Sequence, residues 1–207
     1  MNEHDASEPI ARNGRRTQAE RSGTTRARVA AAAYGAIAAG GLKALRLKAV
    51  AQAAGVSQGA LLHHFADKRA VTLAAIRTAL ELARVDAEVH LAESPDGAGP
   101  VLRAMIDEFR AFFMSERFWV AIGITIEASK DAELYPTLRE EVASLRKPVY
   151  AAWAQRLVAN GWDQAAADRT VRSAAAMISG LAIRRFWADP DAVSDEVVEE
   201  WIVRRLA

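Results

Sequence analysis

Apolar residues recur every three or four positions along most of this chain, which is the spacing of helices with one buried face. The clearest example lies within residues 47–65, LKAVAQAAGVSQGALLHHF. There Leu47, Val50, Ala51 and Ala54 place one apolar stripe along a short helix. The pattern predicts that this stripe packs against the rest of its domain.

A second short helix is predicted directly after a turn. Gly55 stands where a helix end favours a residue that can adopt the left-handed backbone, and Ser57 can cap the next helix by accepting a backbone hydrogen bond. In that helix Leu61 and Phe65 share one face. The opposite face is mixed in character and comprises Gln58, Gly59, Leu62 and His63. Two short helices joined by a glycine turn, the second with such a face, indicate a helix-turn-helix.

The whole pattern predicts an all-α protein of about nine helices in two domains. Three helices form an N-terminal domain over residues 23–69, and six form a larger domain over residues 70–207. Residues 1–22 lack hydrophobic periodicity and carry several arginines, so they are expected to be a flexible basic arm. This arm could enter a minor groove of DNA or could serve only as a solubilising tail.

Capping residues predict where the helices begin and end. The first helix is expected to begin at Thr24 or Thr25, and Asp67 is expected to cap a long helix that extends to about Glu93. Pro136 suits the first residue of a later helix, and Pro148 should kink or split that helix. Ser194 is expected to cap the last helix.

Composition and charge support this arrangement. Alanine is abundant and β-branched runs are few, which favours helices; the absence of cysteine excludes disulfides and thiolate metal sites. Residues 1–69 carry 11 Lys and Arg against 5 Asp and Glu, whereas residues 70–207 carry 16 against 21. A basic N-terminal third joined to an acidic remainder is typical of a DNA-binding domain on a regulatory domain, although chance asymmetry of solvated faces would give the same counts. No signal peptide or membrane span is apparent, so a cytoplasmic protein is expected.

The segment AVAQAAGVSQGALLHHFADKRAV resembles the DNA-binding signature of TetR-type transcriptional regulators. In that signature a helix ending in A-G-V-S leads into G-x-L-x-x-H-F and then a D-K or S-K pair. The resemblance extends over roughly Arg26 to Ile76. It implies a TetR-like fold, in which the larger C-terminal domain binds a small-molecule effector and forms a homodimer, and two recognition helices read a palindromic operator.

The resemblance also implies roles for individual residues. Lys48 and Gln58 match base-reading positions, and both side chains suit the task, since glutamine can bond adenine and lysine can reach guanine or a phosphate. Ala60 and Leu62 depart from the threonine and tyrosine that often hold phosphates there. The predicted DNA-contacting residues are Lys48, Ser57, Gln58, Gly59, Ala60, Leu62, His63, His64 and Lys68. For His64 and Lys68 the implied partner is phosphate, and the alternative for His64 is burial against the first helix.

Two further sets of residues are predicted in the C-terminal domain. The expected lining of a pocket for an apolar or amphipathic effector comprises Phe109, Phe113, Trp119, Ile122, Trp153 and Met177, although for any single one of them a packed core is the favoured interpretation. The expected homodimer interface, a four-helix bundle formed by the last two helices, comprises Ala175, Ile178, Ser179, Ala182, Val198, Trp201 and Ile202. Burial of this second set within one chain is the alternative.

These features together predict a DNA-binding repressor that a small-molecule effector releases from its operator. The long helix over residues 68–93 would transmit the signal, because it joins the pocket to the recognition unit. The alternatives are an effector-independent regulator or an activator, and a helical enzyme with an incidental helix-turn-helix. The enzyme is disfavoured because the sequence shows no nucleophile–base pair, glycine-rich phosphate loop or metal-ligand cluster. No cofactor or metal is predicted.

Overall fold

The computed structural model describes residues 18–185 and 192–207. In this part of the chain the protein contains α-helices, one short 3-10 helix over Leu42–Ala44, and no strands. The helices are α1 (Gln18–Gly40), α2 (Leu47–Ala53), α3 (Gln58–His64), α4 (Lys68–Glu93), α5 (Ala98–Phe113), α6 (Glu116–Ala128), α7 (Leu134–Ala159), α8 (Gln164–Arg184) and α9 (Ala192–Leu206). No helix of the described residues is both long and apolar enough to cross a membrane. The prediction of an all-α fold is confirmed.

The N-terminal domain is a small core formed by α1, α2 and α3. Val29, Ala33 and Ile37 are spaced four residues apart and form the buried stripe of α1. The apolar stripe of α2 and the side chain of Leu61 on α3 complete this core. Helix α1 also packs against α4, so the helix-turn-helix is fixed to one of the two longest helices among the described residues.

The C-terminal domain is arranged around α4. Its main partner is α7, and it also packs against α5 and α6. Beyond this layer, α8 packs against α5 and α7, and α9 packs against α5. The core between these helices is closed by large side chains with no exposed surface, among them Ile76, Leu102, Phe109, Leu138 and Trp153.

The starts of two helices differ from the predictions. Helix α1 begins at Gln18, six residues before Thr24, because the hydroxyls of Thr24 and Thr25 donate to carbonyls four residues back inside the helix instead of capping it. Residues 18–22 of the predicted arm are therefore helical; residues 1–17 lie outside the described residues. Helix α9 begins at Ala192, before its predicted cap Ser194.

Pro136 and Pro148 both lie inside α7. Pro136 is the third residue of α7, not the first, since Leu134 begins the helix after two backbone N–H groups bond Asp131. Pro148 does not split α7, which is a single helix over 26 residues. The proline ring costs one backbone hydrogen bond there, and packing on both sides keeps the helix continuous.

The loop between α4 and α5 is short and is held by α7. Nε of Arg156 donates to Oγ of Ser94 at 2.9 Å, and its Nη2 donates to the carbonyl of Ser94 at 2.8 Å. Oδ1 of Asn160 accepts the N–H of Gly97 at 2.6 Å. Gly97 has a φ of 104°, so glycine allows the turn that leads into α5.

Candidate DNA interface and effector site

The turn between α2 and α3 has the geometry that the sequence predicts. Gly55 adopts a φ of 63°, and the N–H of Val56 bonds the carbonyl of Ala51 at 3.0 Å, which closes the helix end. Oγ of Ser57 accepts the N–H of Ala60 at 3.0 Å and caps α3. One contact was not predicted: Nη2 of Arg28 on α1 donates to the carbonyl of Gly55 at 3.3 Å and ties the turn to α1.

Helix α3 presents its mixed face to solvent. Leu61 is completely buried and Phe65 nearly so, whereas Gln58, Gly59 and His63 are exposed. Leu62 is 43% exposed and adds an apolar group to this face. The structure therefore brings the predicted base-reading surface of α3 together on one outward face.

Three of the residues predicted to contact DNA, Ser57, Ala60 and His64, do not belong to this freely exposed face. Ser57 is exposed, and its oxygen is used in the cap; Ala60 is partly buried beside it. His64 is partly buried and lines a cleft between α1 and α4 with Arg26 and Ala30. His64 therefore lies beside α1, and its contact with phosphate stays a prediction.

Exposed cations stand on the elements next to α3. Arg46 and Lys48 are exposed at the start of α2 and Lys68 at the start of α4, and none of the three forms an ion pair with another described residue. Lys43 is also exposed, but it lines a cleft with Glu116 and Glu127 of α6. The one carboxylate in residues 41–69 is Asp67, whose Oδ1 accepts the N–H of Ala70 at 2.8 Å as the cap of α4. Unpaired cations around an outward helix are the arrangement that phosphate binding requires.

Ion pairs connect the first part of α4 to α7 and to the segment that precedes α7. Arg69, in the first turn of α4, bonds Glu133 and also donates from Nε to Asp131 at 2.9 Å. The N–H of Leu134 and the guanidinium of Arg69 lower the pKa of the Asp131 carboxyl. Two turns further along α4, Nε of Arg77 donates to Glu141 on α7 at 2.8 Å. Helix α4 is thus tied to α7 on the side near the recognition helix.

Comparison with known proteins agrees with this geometry. Residues 29–75 match the family described as bacterial regulatory proteins of the tetR family. The chain is also 31% identical over 174 residues to the HTH-type transcriptional regulator CymR of Pseudomonas putida, which covers 84% of this chain and 85% of CymR. The chain belongs to the TetR family.

Solved structures of the TetR family share the fold across both domains. A protein of Mesorhizobium loti described as a TetR-family transcriptional regulator has a TM-score of 0.67 at 17% identity, over 90% of this chain and 96% of that one. A protein from Saccharomonospora viridis, described as a transcriptional regulator and solved in complex with choline, has a TM-score of 0.63 at 20% identity, over 86% and 94% of the two chains. The protein is therefore a DNA-binding transcriptional regulator of the TetR family.

The predicted effector pocket is only partly open. Phe109 and Trp153 have no exposed surface, so neither borders a space that water could enter, and Phe113 packs edge-on against Phe109, Phe112 and Phe118. In this structure the helices pack closely over these three side chains, and their place in an effector pocket stays a prediction. Trp119, Ile122 and Met177 are partly exposed, and Trp119 lines a cleft of about 430 Å³ between the end of α1 and α6.

A charged pair that was not predicted lies in the same core. Glu108 on α5 is 2% exposed and Arg146 on α7 is 5% exposed, with Oε1 and Nη1 3.8 Å apart. Nε1 of Trp153 donates to Oε2 of Glu108 at 3.2 Å. Burial raises the pKa of the Glu108 carboxyl, while Arg146 and Trp153 oppose that rise. The sequence contained a signal of this buried pair, because both charged residues stand at positions of the apolar stripes of their helices.

The predicted dimer residues fall into two groups. Five lie inside the core of their own chain: Ala175, Ile178, Ala182, Val198 and Ile202. Within one chain α8 packs on α5 and α7, and α9 packs on α5, which is the alternative of burial within one chain; a dimer contact at these five residues stays a prediction. Ser179 and Trp201 are partly exposed. The outward faces beside them comprise Ala176, Gly180 and Ile183 of α8 and Val197 of α9.

Proposed function

We propose that this protein is a homodimeric repressor that binds a palindromic operator and leaves it when a small-molecule effector binds. The observation that carries the proposal is the outward face of α3, which is held by the Gly55 turn and has exposed cations on the neighbouring α2 and α4. Family membership supports DNA binding. The choline complex of the S. viridis protein supports control by a small molecule.

In this proposal each exposed residue of the interface has a chemical task. Gln58 bonds the N6 and N7 edge of adenine, and Lys48 reaches guanine acceptors or a phosphate. Leu62 contacts a thymine methyl group, since its apolar side chain is exposed on the reading face. Lys68 and the exposed edge of His64 hold phosphates.

The dimer forms through the outward faces of α8 and α9, where small residues let helices approach closely. A two-fold axis there repeats each recognition helix, and two such helices separated by roughly 34 Å match successive major grooves. Each half of a palindromic site is then read by one chain.

Effector release operates through α4 and α7. An effector that changes the packing between α5 and α7 displaces α7, and the ion pairs of Glu141 with Arg77 and of Asp131 with Arg69 carry that displacement to α4. Helix α4 begins at Lys68, directly after the recognition helix α3. Movement of α4 therefore changes the separation of the two DNA-binding domains in the dimer. A coupling of about 1–3 kcal/mol is enough for a useful switch.

The test begins with selection of binding sites from random duplex DNA by the full chain. We expect an inverted repeat, bound by two chains, with an affinity that falls steeply as salt rises. A site without symmetry, or binding by one chain, would refute the dimeric model. A screen of small molecules for release of this DNA then tests the effector step, and an activator would be distinguished by transcription that increases when the protein is bound.

A further inference from the structure

The buried charged pair between α5 and α7 is incomplete in its hydrogen bonding. None of the three guanidinium nitrogens of Arg146 meets a hydrogen-bond acceptor among residues 18–185 and 192–207, and the nearest carboxylate oxygen lies 3.8 Å away on Glu108. A guanidinium carries five N–H donors, and leaving them unbonded out of water is costly. The site therefore holds donors in excess of its acceptors.

Apolar groups surround this excess of donors. The guanidinium carbon of Arg146 lies 4.1 Å from the ring centre of Phe112 and 5.1 Å from that of Tyr150. Ring faces stabilise the cation without satisfying its N–H groups. The ring of Tyr150 packs in turn on Phe109, with ring centres 5.7 Å apart. A ligand at this place would contact aromatic rings and meet one cation with free donors.

We propose that the effector is a small organic carboxylate with an apolar body, and that its carboxylate accepts hydrogen bonds from Arg146 while its body lies among Phe112, Tyr150 and Phe109. This inference rests on the proposed function, since it names the ligand class of the effector site. A guanidinium and a carboxylate form paired, charge-assisted hydrogen bonds, which are stronger than those to a neutral carbonyl. A cationic ligand would instead be repelled by Arg146.

Glu108 allows an anion to bind beside it. Its carboxyl is buried, and burial is the main cause that raises its pKa; Asp86 also raises it, whereas Arg146, Trp153 and His90 lower it. When the ligand carboxylate binds Arg146, the Glu108 carboxylate loses its attraction to that cation and takes up a proton. The net charge of the buried site is then unchanged, and the bond from Trp153 to Glu108 is retained.

The location of Arg146 connects the ligand to the DNA-binding domain. Tyr150 is partly exposed and its ring centre lies 5.1 Å from the guanidinium carbon of Arg146, so in this proposal the ligand displaces the Tyr150 ring to reach the guanidinium. Arg146 lies five residues after Glu141, whose carboxylate bonds Arg77 of α4. A ligand that draws Arg146 away from Glu108 therefore acts on the same helix that is tied to α4.

The test compares acids with neutral molecules of the same shape. Binding of benzoate, 3-phenylpropionate and octanoate to the full-length protein is measured by calorimetry beside binding of benzamide, 3-phenylpropanamide and octanamide. We expect at least one acid to bind about tenfold or more tightly than its amide, the ratio that charge-assisted hydrogen bonds supply. If no acid binds, or if each acid binds no better than its amide, the inference is overturned.

Variants then locate the carboxylate. Arg146→Met should abolish the preference for the acid, whereas Glu108→Gln should strengthen acid binding, because it removes the anion that competes for Arg146. The double variant Glu108→Gln/Arg146→Met removes both charges and serves as the folded control, with its melting curve recorded. A loss of acid binding in Glu108→Gln equal to that in Arg146→Met would mean that only the packing of the pair matters, and would overturn the inference.

DNA release is measured separately, so that the two proposals fail in different ways. Acid binding through Arg146 without release of the operator leaves the ligand class standing and contradicts the release step of the proposed function. Release of the operator by a compound that binds the Arg146→Met variant as tightly as the unaltered protein supports effector control and overturns the inference about Arg146.

Discussion

Gly55 forms the turn between α2 and α3, the two helices of the helix-turn-helix. Its φ of 63° lies in the left-handed region, where a side chain costs about 1–2 kcal/mol. A Cβ built at this residue would also lie 2.5 Å from Nη2 of Arg28, the group that bonds the Gly55 carbonyl. Backbone conformation and a neighbouring arginine thus both favour glycine here.

The first prediction concerns this turn. Gly55→Ala should lower the free energy of unfolding by about 1–2 kcal/mol and weaken DNA binding, because the turn and the Arg28 contact are both disturbed. Gly35→Ala is the matched control, since Gly35 lies inside α1 with no atom within 4 Å of a built Cβ. It should raise stability by about 0.5–1 kcal/mol. Urea unfolding of both variants measures this, and equal losses would contradict the role of the left-handed backbone.

The second prediction separates base reading from phosphate binding. Gln58→Ala should relax the preference at one base step by about 1–3 kcal/mol, whereas Lys68→Ala should weaken all sequences similarly and reduce the salt slope by about 1. Both side chains are exposed, so neither change disturbs the core. Titrations of the operator and of single-base variants at several salt concentrations distinguish the two. Equal losses on every sequence from Gln58→Ala would refute base reading.

At the scale of helices, the parts that could be predicted are those that local sequence determines. The turn at Gly55 and the caps Ser57 and Asp67 were predicted correctly, because each depends on a few neighbouring residues. The start of α1 could not be predicted from Thr24 or Thr25, since a threonine hydroxyl can cap a helix or bond a carbonyl inside it.

The interior of the C-terminal domain was less predictable for a different reason. Apolar stripes on α5, α7 and α8 show that these faces are buried, but not whether the helices enclose a cavity or close upon each other. The same limit explains the dimer prediction, because the burial of Ile178 and Ile202 depends on which helix each stripe meets. Glu108 and Arg146 stand on such stripes, and only the fold brings them together.

The third prediction concerns the free energy that this pair contributes between α5 and α7. Arg146→Met leaves the Glu108 carboxyl buried without its cation, which raises its pKa further above the value in the unfolded chain. The folded state then holds an extra proton between those two pKa values, so its stability falls as pH rises through that interval. We expect a loss of about 3–5 kcal/mol at pH 8 and a smaller loss at pH 5.

Urea unfolding at the two pH values measures this effect. The double variant Glu108→Gln/Arg146→Met is the control, since it buries no charge at this place and should lose the pH dependence of the single variant. Its stability should equal or exceed that of the unaltered protein, because apolar replacement of a buried ion pair is often neutral or stabilising. A loss in Arg146→Met that is the same at both pH values would show that packing, not charge, accounts for it.

At the scale of the whole molecule, apolar surface remains where no part of the described chain covers it. Ile183 at the end of α8 is 36% exposed, and Val197 and the partly exposed Trp201 lie on the outward side of α9. Small residues, Ala176 and Gly180, lie on the same side of α8 as Ile183. Close helix approach requires such residues, so this surface suits a second copy of the chain.

The last prediction tests that surface directly. Ile183→Glu should convert the dimer to a monomer, since two carboxylates would meet across the two-fold axis, and operator affinity should fall because two half-sites must be bound separately. Leu82→Glu is the matched control: Leu82 is 43% exposed on α4, away from α8 and α9 in the chain, and its replacement should leave both properties unchanged. Sedimentation and operator titration measure the two effects. A monomer in both variants would indicate general destabilisation, whereas a dimer in both would place the interface elsewhere.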